Sequence, residues 1–154
     1  MQRRRSLALL FLLLSFPCYT LAGNTPAPSE LIPIALPGGV IIHAELADTP
    51  QKRAEGLMYR EHLPPDRGML FTFSQAQAWV FWMKNTKIPL DLIWINEKKQ
   101  IVHIEQRAPI CTRTDDSCPQ YRPNEAALYV LELAAGRAES LKLQRGTKLQ
   151  FQVP

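Results

Sequence analysis

Between Gly56 and Asn96 the chain reads GLMYREHLPPDRGMLFTFSQAQAWVFWMKNTKIPLDLIWIN, short aromatic and aliphatic bursts broken by isolated polar residues. The adjacent Pro64 and Pro65 end any helix that reaches them, because proline lacks the amide hydrogen and clashes with the preceding turn. Gly68 to Phe73 and Trp79 to Met83 then have the density of short buried strands, although runs this short do not display a period of their own. Lys84, Asn85, Thr86 and Asp91 follow directly on Phe81, Trp82 and Met83. Polar groups against an apolar wall are compatible with a ligand pocket or with a polar knot that holds the fold, and the residues alone leave both open.

The flanking segments supply further short elements. Leu31 to Leu36, the turn Pro37-Gly38-Gly39 and Val40 to Leu46 read as a hairpin. Asp48 or Thr49 can cap a short helix with Pro50 at its first position and Gln51 to Leu57 as its body. Leu92 to Ile95, the turn Asn96 to Lys99, and Gln100 to Gln106 predict a second hairpin. Strict alternation there puts Ile101, His103 and Glu105 on one face and Val102 and Ile104 on the other. Ala127 to Leu133 is compatible with strand or helix; Tyr129, Val130 and the nearby Gly136 favour strand. Arg137 to Leu143 follows as a short helix, and Lys148 to Val153 as a closing strand. The expected fold is mainly β (α+β), a compact antiparallel, partly closed barrel-like sheet with two short helices.

The amino terminus has a different character. MQRRR followed by the apolar Ser6 to Phe16 is too short to span a bilayer and reads as a secretory signal peptide. Thr20-Leu21-Ala22 offers a cleavage site, so residues 1–22 are expected to be removed, leaving 23–30 as a Pro-rich leader and 31–154 as one globular domain. Pro17 before Cys18 argues against a lipoprotein, and nothing after Arg3 to Arg5 supports twin-arginine export. Three of the eighteen basic residues leave with this peptide, so fifteen face fourteen acidic ones. The basic balance of the whole chain is therefore no nucleic-acid footprint, and nucleic acid is not expected as a partner. A periplasmic or secreted monomer with no transmembrane segment after processing is expected.

Two cysteines remain, Cys111 and Cys118, in the polar stretch CTRTDDSC. In an oxidising compartment this spacing predicts a disulfide, worth about 2–3 kcal/mol through loop closure. A redox or metal pair is the alternative, but the spacing is not CxxC and no histidine is near.

GLMYR at 56–60, GMLFTF at 68–73, FWMKNTKIPLDLIWI at 81–95 and YVLELAAGRAESLKLQRGTKL at 129–149 together resemble domain-of-unknown-function family 192, small bacterial and archaeal proteins. The blocks agree in order and spacing over nearly all of the chain beyond the signal peptide. The resemblance implies a small mainly β domain, sometimes exported, with Arg60, Lys84, Asn85, Thr86, Asp91 and Glu132 at its characteristic polar positions. It implies no particular chemistry, and the cysteine loop lies outside its blocks.

Three chemistries compete. In a binding or accessory protein, Arg60 and Lys84 hold an anionic group, Asn85 and Thr86 add hydrogen bonds, Trp82 is an apolar floor, and Asp91 and Glu132 complete a pocket for a small anionic or sugar-like ligand. The structural counterpart has Arg60 or Lys84 neutralising Asp91 while Asn85 and Thr86 close a turn. Trp79, Trp82 and Trp94 could stack on sugar rings or simply fill the core. A cell-envelope enzyme of hydrolase type would use Asp91 or Glu132 with His43, His62 or His103, yet no GxSxG, HExxH or phosphate loop is present. The third reading is Cu(I) binding through the thioethers of Met58, Met69 and Met83, against their use as core filling. No cofactor motif occurs, and binding is the leading expectation.

Overall fold

The computed structural model of the protein describes residues 31–154; the expected signal peptide and leader lie outside the described residues. The chain opens on the expected hairpin of β1 (Leu31–Ala35) and β2 (Ile41–Ala47), with Ile32 opposite Ala44 and Ile34 opposite Ile42. These four side chains are buried while Leu31 and Ile41 are exposed, the period of two that a half-solvated strand pair requires. Helix α1 (Pro50–Glu55) is capped by Thr49, whose Oγ1 accepts from the Lys52 amide at 3.2 Å, and Pro50 occupies its first turn. It buries no residue of its own and is moored by polar ties: Arg53 Nη1 donates to the carbonyls of Asp48 and Thr72 at 2.7 and 3.0 Å.

From here the sheet departs from the antiparallel expectation. β3 (Arg67–Gln77) lies parallel to β2, from His43 opposite Arg67 to Ala47 opposite Phe71. Parallel neighbours need a crossover of about a dozen residues or more, and residues 48–66, with α1 and the double proline, provide it. Alternation along a strand is the same in either direction, so it carried no sign of this pairing. Beyond β3 come β4 (Phe81–Trp82), β5 (Leu90–Ile95), β6 (Ile101–Ala108), β7 (Gln120–Tyr121), β8 (Ala127–Ala134) and α2 (Arg137–Ser140). The order of the main sheet is β1-β2-β3-β8-β5-β6, and β4 and β7 form a separate ribbon.

The fold is thus mainly β, with a mixed six-stranded sheet and two short helices. The sheet is open, so the expected barrel-like closure is corrected. The carboxy-terminal run meets edge strand β1 and the foot of edge strand β6 at isolated bridges, Ala35 with Gln150 and Gln100 with Lys148, with the Gly146 amide also donating to the Ile101 carbonyl, and it builds no closing strand. No helix among the described residues is long and apolar enough to cross a membrane.

The two faces carry separate cores. On the first, Ile34, Leu70, Ile93, Ile95, Leu131 and Leu133 pack with Ala138 of α2 and with Leu143, Leu149 and Phe151. On the second, Met69, Phe71, Leu92, Trp94 and Val130 meet Leu57, Leu63, Phe81 and Met83. All six residues of β5 are buried, which is why it reads as an almost continuous apolar run. Each large apolar side chain so buried contributes about 1.5–3 kcal/mol. β6 breaks its alternation: Ile101 opposes Ile95 but His103 opposes Trp94, leaving Val102 as an extra residue. Ile101 therefore packs with the first core and Val102 with the second, and Ile101 does not share a face with His103 and Glu105 as strict alternation predicted. The ribbon sets Phe81 against Tyr121 and Trp82 against Gln120, drawing the loop of the Cys111–Cys118 disulfide toward the second core.

Candidate functional site

Glu132 occupies the middle of β8, an interior strand, with Met69 of β3 and Leu92 of β5 as its cross-strand neighbours. Alternation turns it to the aromatic face. The side chain is buried, and its Oε2 has no hydrogen-bond partner. Burial alone pushes its carboxyl up to about 8, because a charge removed from water without a counter-ion is disfavoured. Such a group, in a strand otherwise filled by Ala, Leu, Tyr and Val, is costly for folding and needs a reason outside packing.

A cavity of about 40 Å³ lies beside it. Phe71 and Phe81, which meet edge to face at 4.9 Å, form part of the wall, and Met58, Trp82, Lys84 and Thr86 complete much of the rest. Gly56 makes room for this space. With φ 51° and ψ −134° it holds a conformation that favours glycine, and a β-carbon there would sit 3.2 Å from Phe71 Cζ and 4.0 Å from Glu132 Oε2. The helix end therefore passes over the carboxyl without covering it by a side chain.

Four of the seven residues expected to form a ligand pocket, Trp82, Lys84, Thr86 and Glu132, line this one cavity. Lys84 is engaged: its ammonium pairs with Asp116 of the disulfide loop and lies 5.3 Å over the Trp82 ring. Thr86 is buried and its hydroxyl reaches the Lys84 carbonyl at 3.4 Å. Trp82 remains 36% exposed, whereas Trp94 is buried and Trp79 has one face stacked on Phe73 at 3.9 Å, so of the three Trp82 alone both lines the cavity and is exposed.

The other three stand apart. Arg60 forms a two-pronged ion pair with Glu45 at 2.5 and 2.7 Å and lines a neighbouring recess of about 320 Å³, which shares Glu55 and Gly56 with the first. Asn85, at φ 56°, clamps two loops: its Nδ2 donates to Tyr59 Oη at 3.0 Å and its backbone carbonyl accepts from the Tyr59 amide at 2.8 Å. Asp91 points to the opposite face from Glu132. Its Oδ1 accepts from the amides of Arg107 and Gly136 at 2.8 and 3.1 Å, and its Oδ2 from Ala138 at 2.7 Å. It fastens α2 to the sheet, and neither Arg60 nor Lys84 neutralises it.

No histidine among the described residues lines the cavity: His43 and His62 are exposed, and His103 rests against Trp94. Met69 and Met83 are core side chains and Met58 alone of the three reaches the cavity wall. Among the described residues no three His, Cys, Asp or Glu side chains gather into a metal site. Phe81 is part of the apolar wall that the sequence places beside the polar residues, whereas Gly56, Phe71 and Asp116 carry no site signal of their own. Gly56 and Phe71 sit within recognisable blocks, but Asp116 lies in a loop whose place over Lys84 only the fold creates.

Two solved structures resemble the chain along most of its length. One is a proposed transcription regulator from Sinorhizobium meliloti 1021, 33% identical, TM-score 0.67, covering 80% of this chain and 94% of its own. The other is a protein of unknown function from Novosphingobium aromaticivorans, 29% identical, TM-score 0.69, covering 78% and 83%. No curated protein matches the chain. The family model for DUF192, described as an uncharacterized ACR, matches residues 34–151, the span that holds the whole sheet from the end of β1 and every residue of the cavity; the chain belongs to this family.

Proposed function

We propose that this protein is an exported small-ligand-binding module whose site is the cavity at Glu132. The observation that carries the reading is the buried, unpartnered Oε2 beside an open space. A water needs roughly 10–15 Å³ of such space, so about 40 Å³ admits a polar tip and not a whole ring. A sugar-like ligand would insert one substituent and rest its body on the exposed Trp82. The anionic alternative draws less support, because Asp116 and Glu45 already answer the charges of Lys84 and Arg60. The Cys111–Cys118 disulfide supports an oxidising compartment.

The test is a thermal-shift screen of the purified protein against sugars, polyols, organic acids and phosphates, since a ligand that binds only the folded state raises its midpoint. Hits are expected to lose their shift in Glu132→Gln. A screen with no hits, or hits indifferent to that change, overturns the reading.

The raised carboxyl also supports a second reading, an envelope enzyme in which Glu132 moves a proton near neutral pH. Turnover of chromogenic ester or glycoside substrates that vanishes in Glu132→Gln would establish it; absence of turnover across such a panel would remove it.

A further inference from the structure

Resting on the reading that the Glu132 cavity receives a ligand, we infer that the group it receives is a primary ammonium, and that the ligand is a small organic amine such as an amino sugar or an alkylamine. A buried carboxyl with an unpartnered oxygen lacks both a hydrogen-bond donor and a counter-charge. A hydroxyl supplies only the first; an ammonium supplies both.

The cations nearby do not fill this role. Arg53, from α1, gives its guanidinium to the Asp48 and Thr72 carbonyls, and Lys84, from the segment after β4, gives its ammonium to Asp116. The remaining charged group on the cavity wall is Glu55 of α1, which has the same sign as Glu132. The strand neighbours Met69 and Leu92 carry no charge. The other wall groups suit a compact cation: the rings of Phe71 and Phe81 and the polarisable thioether of Met58. The size of the space fits an ammonium and excludes a trimethylated head group.

The sign of the pH dependence separates this ligand class from a neutral one. An ammonium needs the carboxylate, so below the Glu132 value of about 8 its binding must expel a proton. Affinity is then expected to rise about tenfold from pH 6 to 7, about fivefold from pH 7 to 8, and to level above it. A neutral alcohol has no such requirement.

The experiment compares matched probes on the purified protein, butylamine with 1-butanol and glucosamine with glucose, by thermal shift and calorimetry at pH 6, 7 and 8. The expected result is that the amines bind, butylamine tightens by about tenfold from pH 6 to 7 and about fivefold from pH 7 to 8, and Glu132→Gln abolishes both. Carbon-13 NMR of the Glu132 carboxyl in the unaltered protein gives a reading free of mutation: saturating butylamine should move its titration midpoint downward by at least one pH unit. If the alcohol and glucose bind in a Glu132-dependent manner while the amines do not, the amine inference falls and the binding site stands. If amines bind without moving the Glu132 titration, the inference falls as well. If no probe of either kind binds, the amine inference falls, and with no hit in the wider screen the site itself falls too.

Discussion

Asp91 on β5 and Glu132 on β8 belong to neighbouring strands one register step apart, Asp91 opposite Leu133 and Leu92 opposite Glu132, and they therefore face opposite sides of the sheet. The two buried carboxyls never meet, and their surroundings divide their roles. Asp91 accepts three backbone amides and holds α2 in place; Glu132 Oε2 accepts none. A paired-carboxylate mechanism joining them is closed off by the pleat.

Asp91→Ala removes the acceptor of three backbone amides, that of Ala138 buried and those of Arg107 and Gly136 half-buried. An unsatisfied buried donor costs about 1–3 kcal/mol and the two half-buried ones cost less, so a loss of roughly 2–4 kcal/mol is expected, with Asp91→Asn intermediate. Urea denaturation measures it, and a loss under ~1 kcal/mol would show that α2 is held by packing alone.

Stability should fall as pH rises. Glu132 has a folded value near 8 against an ordinary 4.5, so the folded state binds the extra proton between those values. Its favourable contribution is complete below about pH 4.5, is lost progressively up to about pH 8 and is flat beyond, a total of roughly 5 kcal/mol. Glu132→Gln should remove this slope and exceed the parent in stability at pH 8, with the gap closing at pH 5. Denaturation curves of both proteins at pH 5, 6.5 and 8 decide it; parallel curves would mean that Glu132 is solvated.

Gly56 and Gly68 should fail differently when changed to alanine. At Gly56 the new methyl meets Phe71 Cζ at 3.2 Å in a backbone conformation unkind to side chains, for an expected loss of about 1–3 kcal/mol together with ligand shifts. At Gly68 it would lie 2.6 Å from the Glu132 carbonyl oxygen, so β3 must part from β8 and the greater destabilisation is expected. Melting temperatures rank the pair, and the reverse order would contradict the packing described.

Removing the disulfide by Cys111→Ser with Cys118→Ser should cost about 2–3 kcal/mol while leaving the six-stranded sheet folded. Because Asp116 sits inside that loop and holds Lys84 over Trp82, Trp82 fluorescence should change with it. An unchanged emission spectrum would show that the loop does not depend on its staple.

What the residues determined unaided was local. The Thr49-Pro50 cap, the β1–β2 hairpin, the buried run of β5 and the Cys111–Cys118 staple each follow from chemistry within a few positions of the chain. Family membership was equally legible, since blocks such as GLMYR and FWMKNTKIPLDLIWI keep their order. Tertiary structure alone decided that β2 and β3 run parallel, that the sheet stays open, and that the Val102 bulge reassigns a face, because strand direction and register leave no mark on alternation. It alone also chose partners for the charges, Glu45 for Arg60 and Asp116 for Lys84, and left Glu132 Oε2 without one: ion pairing depends on distance in space, and sequence separation does not encode it.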